Sequence, residues 1–257
     1  MPRKRYVVTG AVALALAVAG STAAFAVADG EPAAEGQFPF AVKLRMTNIP
    51  NPDGTTRASG CSGSLIAAQW ILTAGHCFHD VNRVPTSGPV PYPTTAQVGR
   101  TDDADTTGYL LDVTEDYQAP SGDISIAKLS SPIGDIDPIA LSDAPPAVGD
   151  ILRIAGWGKL LNTDPDAATH LQTGQVKVVS VGSTTIGVQG YAPKSTTSGC
   201  QEDSGAPYFA ESDGEAPRLV STDQTGPSCP HDQTETTARV DPLSDWVRST
   251  IAAHQDG

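Results

Sequence analysis

The sequence predicts an all-β domain, on three observations. Short β-prone runs recur along most of the chain, each bounded by Gly, Pro, Asp or Ser clusters, as strands and turns require. No 20–50-residue repeat and no low-complexity linker interrupts them. Only the last segment carries convincing helical periodicity. Many strands with one terminal helix point to sheets packed on sheets.

The first segment lies outside that fold. Arg3, Lys4 and Arg5 form a basic start, Tyr6 to Gly20 is apolar, and Ala24-Phe25-Ala26 fits the small-residue preference of a signal peptidase. The apolar run is shorter than the ~20 residues of a spanning helix, so residues 1–26 read as an export signal rather than an anchor. The remaining residues, 27–257, suffice for one large all-β unit or two small barrels. The clearest strands then follow at Val42-Lys43-Leu44, Ser64-Leu65-Ile66, Trp70-Ile71-Leu72, Ile124-Ser125-Ile126, Ile151 to Ile154, Val176 to Val179 and Arg218-Leu219-Val220. Asn51 to Ser59 and Phe78 to Pro93 read as exposed loops, and Trp70 and Trp246 as core residues. Asp241-Pro242 opens the helix, where Leu243, Trp246, Val247 and Ile251 recur at helical spacing.

Charge and cysteines narrow the function. The chain has 29 acidic and 16 basic residues, and loss of a leader with three basic and no acidic residues moves the net charge from −13 to −16. Such a surface disfavours nucleic acid or an anionic membrane as partner. All four cysteines follow the leader, and an even number in an exported chain implies two disulfides, with three pairings open. No C-x-x-C is present, and the one histidine near two cysteines is His76, so neither metal nor cofactor is expected.

Three segments carry chemistry. Cys200-Gln201-Glu202-Asp203-Ser204-Gly205-Ala206-Pro207 sets a serine between an aspartate and a glycine. Thr73-Ala74-Gly75-His76-Cys77 lies upstream, and Gly122-Asp123-Ile124-Ser125-Ile126-Ala127 lies between. A serine hydroxyl becomes nucleophilic when an imidazole takes its proton, and the imidazole needs a carboxylate to orient it. Each segment alone has an ordinary explanation: a packed histidine, a turn, a loop cap. Their joint occurrence in the order His, Asp, Ser resembles the chymotrypsin/trypsin family of serine proteases over nearly the whole mature chain. The leader and the segment Val27 to Phe40 resemble the secreted bacterial members, of actinobacterial type.

The resemblance implies two antiparallel six-stranded β-barrels, about 27–140 and 141–257 with the helix, switching near Pro138 to Gly149. It implies His76 and Asp123 from the first barrel and Ser204 from the second. It pairs Cys61 with Cys77 and Cys200 with Cys229, and takes Gly156-Trp157-Gly158 as a signature of the second barrel. The backbone N–H groups of Glu202 and Ser204 would form the oxyanion hole, and Asp203 would pair with the amine of a chain beginning at Val27. A competing cleavage would release Asp29, whose amine falls two residues short. The implied activity is peptide-bond hydrolysis by a secreted, extracellular, monomeric endopeptidase acting on proteins or peptides.

Departures from the family pattern keep alternatives open. Glu202 stands at a glycine position, where a side chain resists the backbone angles and an anion is unhelpful unless it points to solvent. The outcome is a narrowed enzyme or a crippled oxyanion hole. Ser221 matches a serine that supports the catalytic aspartate, but Thr222 and Asp223 replace an aromatic residue and a glycine, and Asp223 either narrows the pocket or faces solvent. Ser198 falls at the pocket floor, where enzymes selecting Arg or Lys carry aspartate. Glu235 falls near the pocket wall, to recruit a basic side chain, fill the pocket or lie on the surface. The rival to an enzyme is a secreted non-catalytic homologue that binds a protein partner.

Overall fold

The structure, a computed structural model, describes Met1, residues 27–212 and residues 214–255. Except for Met1, the expected signal peptide lies outside the described residues. Twelve strands build two barrels. The first contains β1 (Ala41–Pro50), β2 (Thr56–Ala67), β3 (Trp70–Thr73), β4 (Gly88–Val98), β5 (Tyr109–Gln118) and β6 (Ser125–Leu129). The second contains β7 (Ile151–Gly156), β8 (Gln172–Val181), β9 (Thr185–Ala192), β10 (Pro207–Ala210), β11 (Arg218–Thr225) and β12 (Glu235–Arg239). All pairings within the barrels are antiparallel, in the order β1-β2-β3-β6-β5-β4 and, by the same scheme, β7-β8-β9-β12-β11-β10, each ring closing on itself. The all-β, two-barrel expectation is met.

Alternation along the strands explains the closure. In β1 the side chains of Val42, Leu44 and Met46 are buried while Lys43 and Arg45 point away, the two-residue period of a half-buried strand. Ile71, Leu72, Ile126 and Leu129 fill the first barrel, and Leu152, Ile154, Val176, Val178, Ile186 and Val188 the second. The barrels are stitched together by Phe38, Phe40 and Phe209, whose rings meet edge to face at 5.1 and 5.3 Å from Phe209. A 3-10 turn (Asp241–Leu243) leads into α1 (Ser244–Ala253), which buries Val247.

Three stretches differ from the sequence expectation. Thr56 to Ser59 continue β2, because Ile49 pairs with Arg57 and Pro50 with Thr56, so the exposed loop shrinks to residues 51–55. Gly88 to Pro93 belong to β4; a register shift between Pro89 and Thr94 absorbs its prolines. The start of the mature chain packs on the second barrel rather than the first: Val27 lies in that core, and Glu31–Pro32 pairs with β8. Near the expected boundary, Ala140–Leu141 pairs in parallel with β11. Among the described residues no helix is long and apolar enough to cross a membrane.

Candidate active site

His76 rides on a 3-10 turn, Gly75–Phe78, that follows β3 with one residue between. Thr73 Oγ1 donates to Ser62 O at 2.7 Å, and the Cys61–Cys77 disulfide ties the turn to β2. Asp123 lies two residues before β6. Its Oδ1 accepts the His76 N–H at 2.8 Å and its Oδ2 faces His76 Nδ1 at 2.6 Å. Burial pushes the Asp123 carboxyl up, but the hydrogen bonds and charge of His76 outweigh it and hold the group below its ordinary value. Gly75 makes the approach possible: a Cβ there would meet Gln118 Oε1 at 2.6 Å and Asp123 Oδ1 at 3.0 Å.

Ser204 lies between β9 and β10, in the loop fastened by the Cys200–Cys229 disulfide. Its carbonyl accepts the Ser62 N–H at 2.8 Å, which locks this loop of the second barrel onto β2 of the first. Ser204, His76 and Asp123 line one cleft of about 740 Å³. No hydrogen bond joins Ser204 Oγ to His76 among the described residues, the loose resting geometry common before substrate arrives. The N–H groups of Glu202 and Ser204 have no acceptor among the described residues, whereas Asp203 N–H donates to Cys200 O and Gly205 N–H to Asp223 O. Two unengaged amides therefore flank Asp203.

Glu202 adopts the left-handed backbone (φ 73) that its place requires. Its carboxylate packs against the first barrel. It is half-buried against Gly60, where a Cβ would sit 2.1 Å from Glu202 Oε2. Burial raises its carboxyl, opposed by Lys159, Lys43 and Arg45. Gly60 thus vacates the space that Glu202 occupies.

Asp203 is fully buried, and its carboxylate accepts the N–H groups of Gly158 at 2.7 Å and Cys200 at 3.0 Å. The Gly156-Trp157-Gly158 turn is its cradle: Cβ atoms at the two glycines would come within 2.1 and 2.5 Å of the carboxylate. Burial raises the Asp203 carboxyl to about 7 despite these donors. Val27, fully buried in the second core, stands at φ 51, an unfavourable angle for a β-branched residue that has a preceding neighbour.

Beside Ser204 opens a slot of about 250 Å³, lined by Gly199, Asp223, Gly226 and Glu235 among others. Glu235 is buried, so the surface position is ruled out. Its Oε1 lies within 3.3 Å of where Cβ atoms of Gly199 and Gly226 would be. Asp223 does not face solvent either: it is buried, and burial followed by the charges of Glu235 and Asp203 pushes its carboxyl well up. Ser198, Ser221 and Thr222 are buried but do not line the slot. Ser198 N–H is taken by Ala28 O, and Ser221 Oγ accepts Thr237 Oγ1 at 2.8 Å, while both Asp123 oxygens go to His76.

Two residues escaped the sequence reading. Tyr208 OH donates to Glu235 Oε2 at 3.0 Å and approaches Asp223 Oδ1 at 3.4 Å. His231 Nε2 lies 3.3 Å from Glu235 Oε1, within ion-pair reach but too poorly aligned for a hydrogen bond. Neither has a local motif. The signal for His231 was its i, i+4 spacing from Glu235, and Tyr208 offered none.

A family model described as Trypsin matches residues 27–247. Chymotrypsin-like elastase family member 3B of Macaca mulatta is 30% identical, across 89% of this chain and 94% of its own length. Thrombin-like enzyme elegaxobin-1 of Protobothrops elegans is 26% identical, across 76% of this chain and 88% of its own. Serine protease 56 of Mus musculus is 27% identical across 88% of this chain, which spans only 39% of that relative. These relatives are animal proteins and lend no support to a bacterial origin. With the fold, the cleft and a match over nearly the whole described chain, the protein belongs to the trypsin family of serine proteases.

Proposed function

We propose that the protein is a secreted serine endopeptidase acting through an acyl-enzyme on Ser204. The observation that carries this reading is the double engagement of Asp123 by His76, in the cleft that Ser204 shares. Asp123 fixes the imidazole with Nδ1 protonated, so Nε2 is free to take the Ser204 proton as the hydroxyl attacks a peptide carbonyl. The unengaged N–H groups of Glu202 and Ser204 stabilise the resulting oxyanion. His76 then protonates the leaving amine, and a water activated by the same imidazole hydrolyses the ester. Neither cofactor nor metal takes part.

Export supplies the activating amine in this reading. Cleavage after Ala26 would give Val27 a charged N-terminus to pair with Asp203, a buried carboxylate that otherwise has only two amide donors. It also removes the peptide bond that defines Val27's unfavourable φ. Asp29 suits a start less well, since its amine comes two residues later and falls short of Asp203. The mature product acts extracellularly as a monomer on proteins or peptides; a bacterial source rests on the leader and the mature start alone.

The slot selects a basic P1 side chain. Asp203, Asp223 and Glu235 are three buried carboxylates that act on one another, and among the described residues only Glu235 has an imidazole, His231, beside it. With the Val27 amine on Asp203, Asp223 is left without a cation, which a P1 lysine or arginine brings in place of the Asp223 proton.

The test is the intact mass of the secreted protein before and after a fluorophosphonate. One adduct on Ser204, absent from His76→Ala, together with an unlabelled mass starting at Val27, supports the enzyme. No adduct on a processed, disulfide-bonded chain favours the non-catalytic binding module, motivated by Glu202 in its left-handed position.

A further inference from the structure

Behind the His76 turn lies a carboxyl group that the hydrolytic steps do not use. Asp116, on β5, is fully buried. Its strand partners are Gly88 and Ala127, which offer no side-chain polar atom. Its two oxygens meet two side chains, Thr86 Oγ1 at 3.1 Å from Oδ1 and Gln118 Nε2 at 3.3 Å from Oδ2. Each of these also holds one end of the turn that carries His76. Thr86 Oγ1 donates to Phe78 O at 2.5 Å, and Gln118 Nε2 donates to Gly75 O at 3.0 Å.

Counting hydrogens assigns the protonation state. The Gln118 amide has two N–H bonds, one for Gly75 O and one for Asp116 Oδ2. The Thr86 hydroxyl has a single hydrogen but two oxygens before it, Phe78 O and Asp116 Oδ1. With that hydrogen on the nearer carbonyl, Oδ1 must supply its own. A directed chain results: Asp116 donates to Thr86, and Thr86 donates to Phe78. If Asp116 loses its proton, the carboxylate competes for the Thr86 hydrogen and the end of the turn at Phe78 is released.

We propose that Asp116 is a positioning residue whose proton holds the His76 turn in its working geometry, giving the protease a second ionisation that lowers activity as it deprotonates. Burial, only partly offset by Thr86 and Gln118, raises the Asp116 carboxyl to about 7, so the switch falls in the neutral range. The titratable groups on the surrounding elements include His76 and Asp123 on the site side, His79 after the turn, Glu115 and Tyr117 on β5, Tyr92 on β4 and Lys128 on β6. Tyr117 OH donates to Glu115 and Lys128 Nζ to His254 O, while the Asp116 oxygens meet Thr86 and Gln118.

The inference rests on the proposed catalytic role of His76, and its test separates the two. Asp116→Asn keeps one acceptor for Gln118 and presents an N–H to Thr86, a permanent copy of the protonated state. In the mature secreted enzyme, the variant-to-wild-type ratio of kcat/KM should rise about threefold to tenfold from pH 6 to pH 8. Thr86→Val cuts the chain and should give a flat ratio to Thr86→Val/Asp116→Asn, whereas Thr86→Ser should restore the rise. A pH-independent ratio for Asp116→Asn against wild type overturns the proposal. Should wild type hydrolyse nothing, hydrogen exchange of the Cys77 and His79 amides, which bond within the turn, reads the same event without catalysis. Protection relative to Asp116→Asn must fall above pH 7, and parallel protection at all pH overturns the proposal even if the protease reading has already failed.

Discussion

In the first barrel Asp116, the one fully buried carboxylate outside the cleft among the described residues, meets neutral partners, Gln118 as donor and Thr86 as acceptor of the proton it holds. In the second barrel three buried carboxylates, Asp203, Asp223 and Glu235, lie near enough to act on one another, and one imidazole, His231, reaches Glu235. Strand order is the same in both barrels, so topology does not cause the contrast. The difference lies in where the compensating charge originates. The first barrel satisfies its acid internally, whereas in the proposed function the second awaits groups that arrive later, an amine released by processing and a cation carried by substrate. On that reading the second barrel is where activation and selectivity are both controlled.

The largest effect should come from withholding the amine. A refolded chain with one extra alanine before Val27 leaves Asp203 with two amide donors alone. Breaking a buried pair costs about 3–5 kcal/mol, so active-site titration should fall at least 100-fold against the chain starting at Val27. Stability should separate the two forms by pH. In the extended chain the folded Asp203 carboxyl sits at about 7, above its unfolded value of about 3.9. Its contribution is complete below pH 4 and lost as pH rises through 7, on the order of 4 kcal/mol. The Val27 form, with its amine in place, should lack that loss. Equal melting profiles across pH 4 to 7.5 would dissolve the contrast between the barrels.

Each barrel carries one disulfide, and these sharpen the comparison. Cys61–Cys77 spans 16 residues and Cys200–Cys229 spans 29, so removing either should cost about 3–4 kcal/mol by loop entropy. The functional outcomes should diverge. Cys200 and Cys229 both line the slot beside Ser204, so Cys200→Ala/Cys229→Ala should blur P1 preference. Cys61→Ala/Cys77→Ala should lower activity without changing the preference. Profiling both variants on a peptide library decides it.

Much of this was legible beforehand, unevenly so. The three segments of the candidate active site were readable because the proposed chemistry needs fixed neighbours: the cysteine beside His76, the glycine after Ser204. Strands such as β3 announce themselves through consecutive apolar residues. β4 does not, because Pro89, Pro91 and Pro93 mimic a loop and only a register shift admits them to a sheet. β12 reads as polar, since Glu235 faces a slot instead of a core. Gly156-Trp157-Gly158 was visible as a motif, but its purpose required knowing that Asp203 lies against it. The Asp116 network was hidden altogether, being assembled from Gly75, Thr86, Asp116 and Gln118 by pairing across the barrel. Sequence reveals groups held by their own neighbours and conceals those that meet only on folding.

The slot comes next in magnitude. A charge-assisted hydrogen bond contributes about 1.5–3 kcal/mol, so Glu235→Gln and Asp223→Asn should each lower kcat/KM for P1 lysine or arginine about 10–100-fold. P1 leucine or alanine should change little. The preference for a basic P1 in wild type should strengthen as pH rises, because burial and neighbouring acids keep Asp223 protonated and a substrate cation must displace that proton. A wild-type enzyme that prefers small neutral P1 residues at every pH would mean the carboxylates fill the slot instead of recruiting to it, and the second barrel would then be closed rather than incomplete.

The smallest effect concerns Glu202, one of the residues through which the two barrels touch. Glu202 stands in the second barrel's loop in a left-handed conformation, which costs a residue with a side chain on the order of 1 kcal/mol relative to glycine. Its carboxylate rests on Gly60 of the first barrel, below the Lys159, Lys43 and Arg45 charges that partly offset its burial. Glu202→Gly should therefore stabilise the protein by about 1 kcal/mol and raise kcat a few-fold by relaxing the amide that donates to the oxyanion. Gly60→Ala is the companion from the other side. Its Cβ would collide with Glu202 Oε2, so it should lower kcat in the wild type and leave Glu202→Gly untouched. If Gly60→Ala instead harms both backgrounds equally, the Glu202 side chain is a passive neighbour, and what joins the barrels at the oxyanion loop is Ser62, whose N–H donates to Ser204 O and whose Oγ donates to Glu202 O.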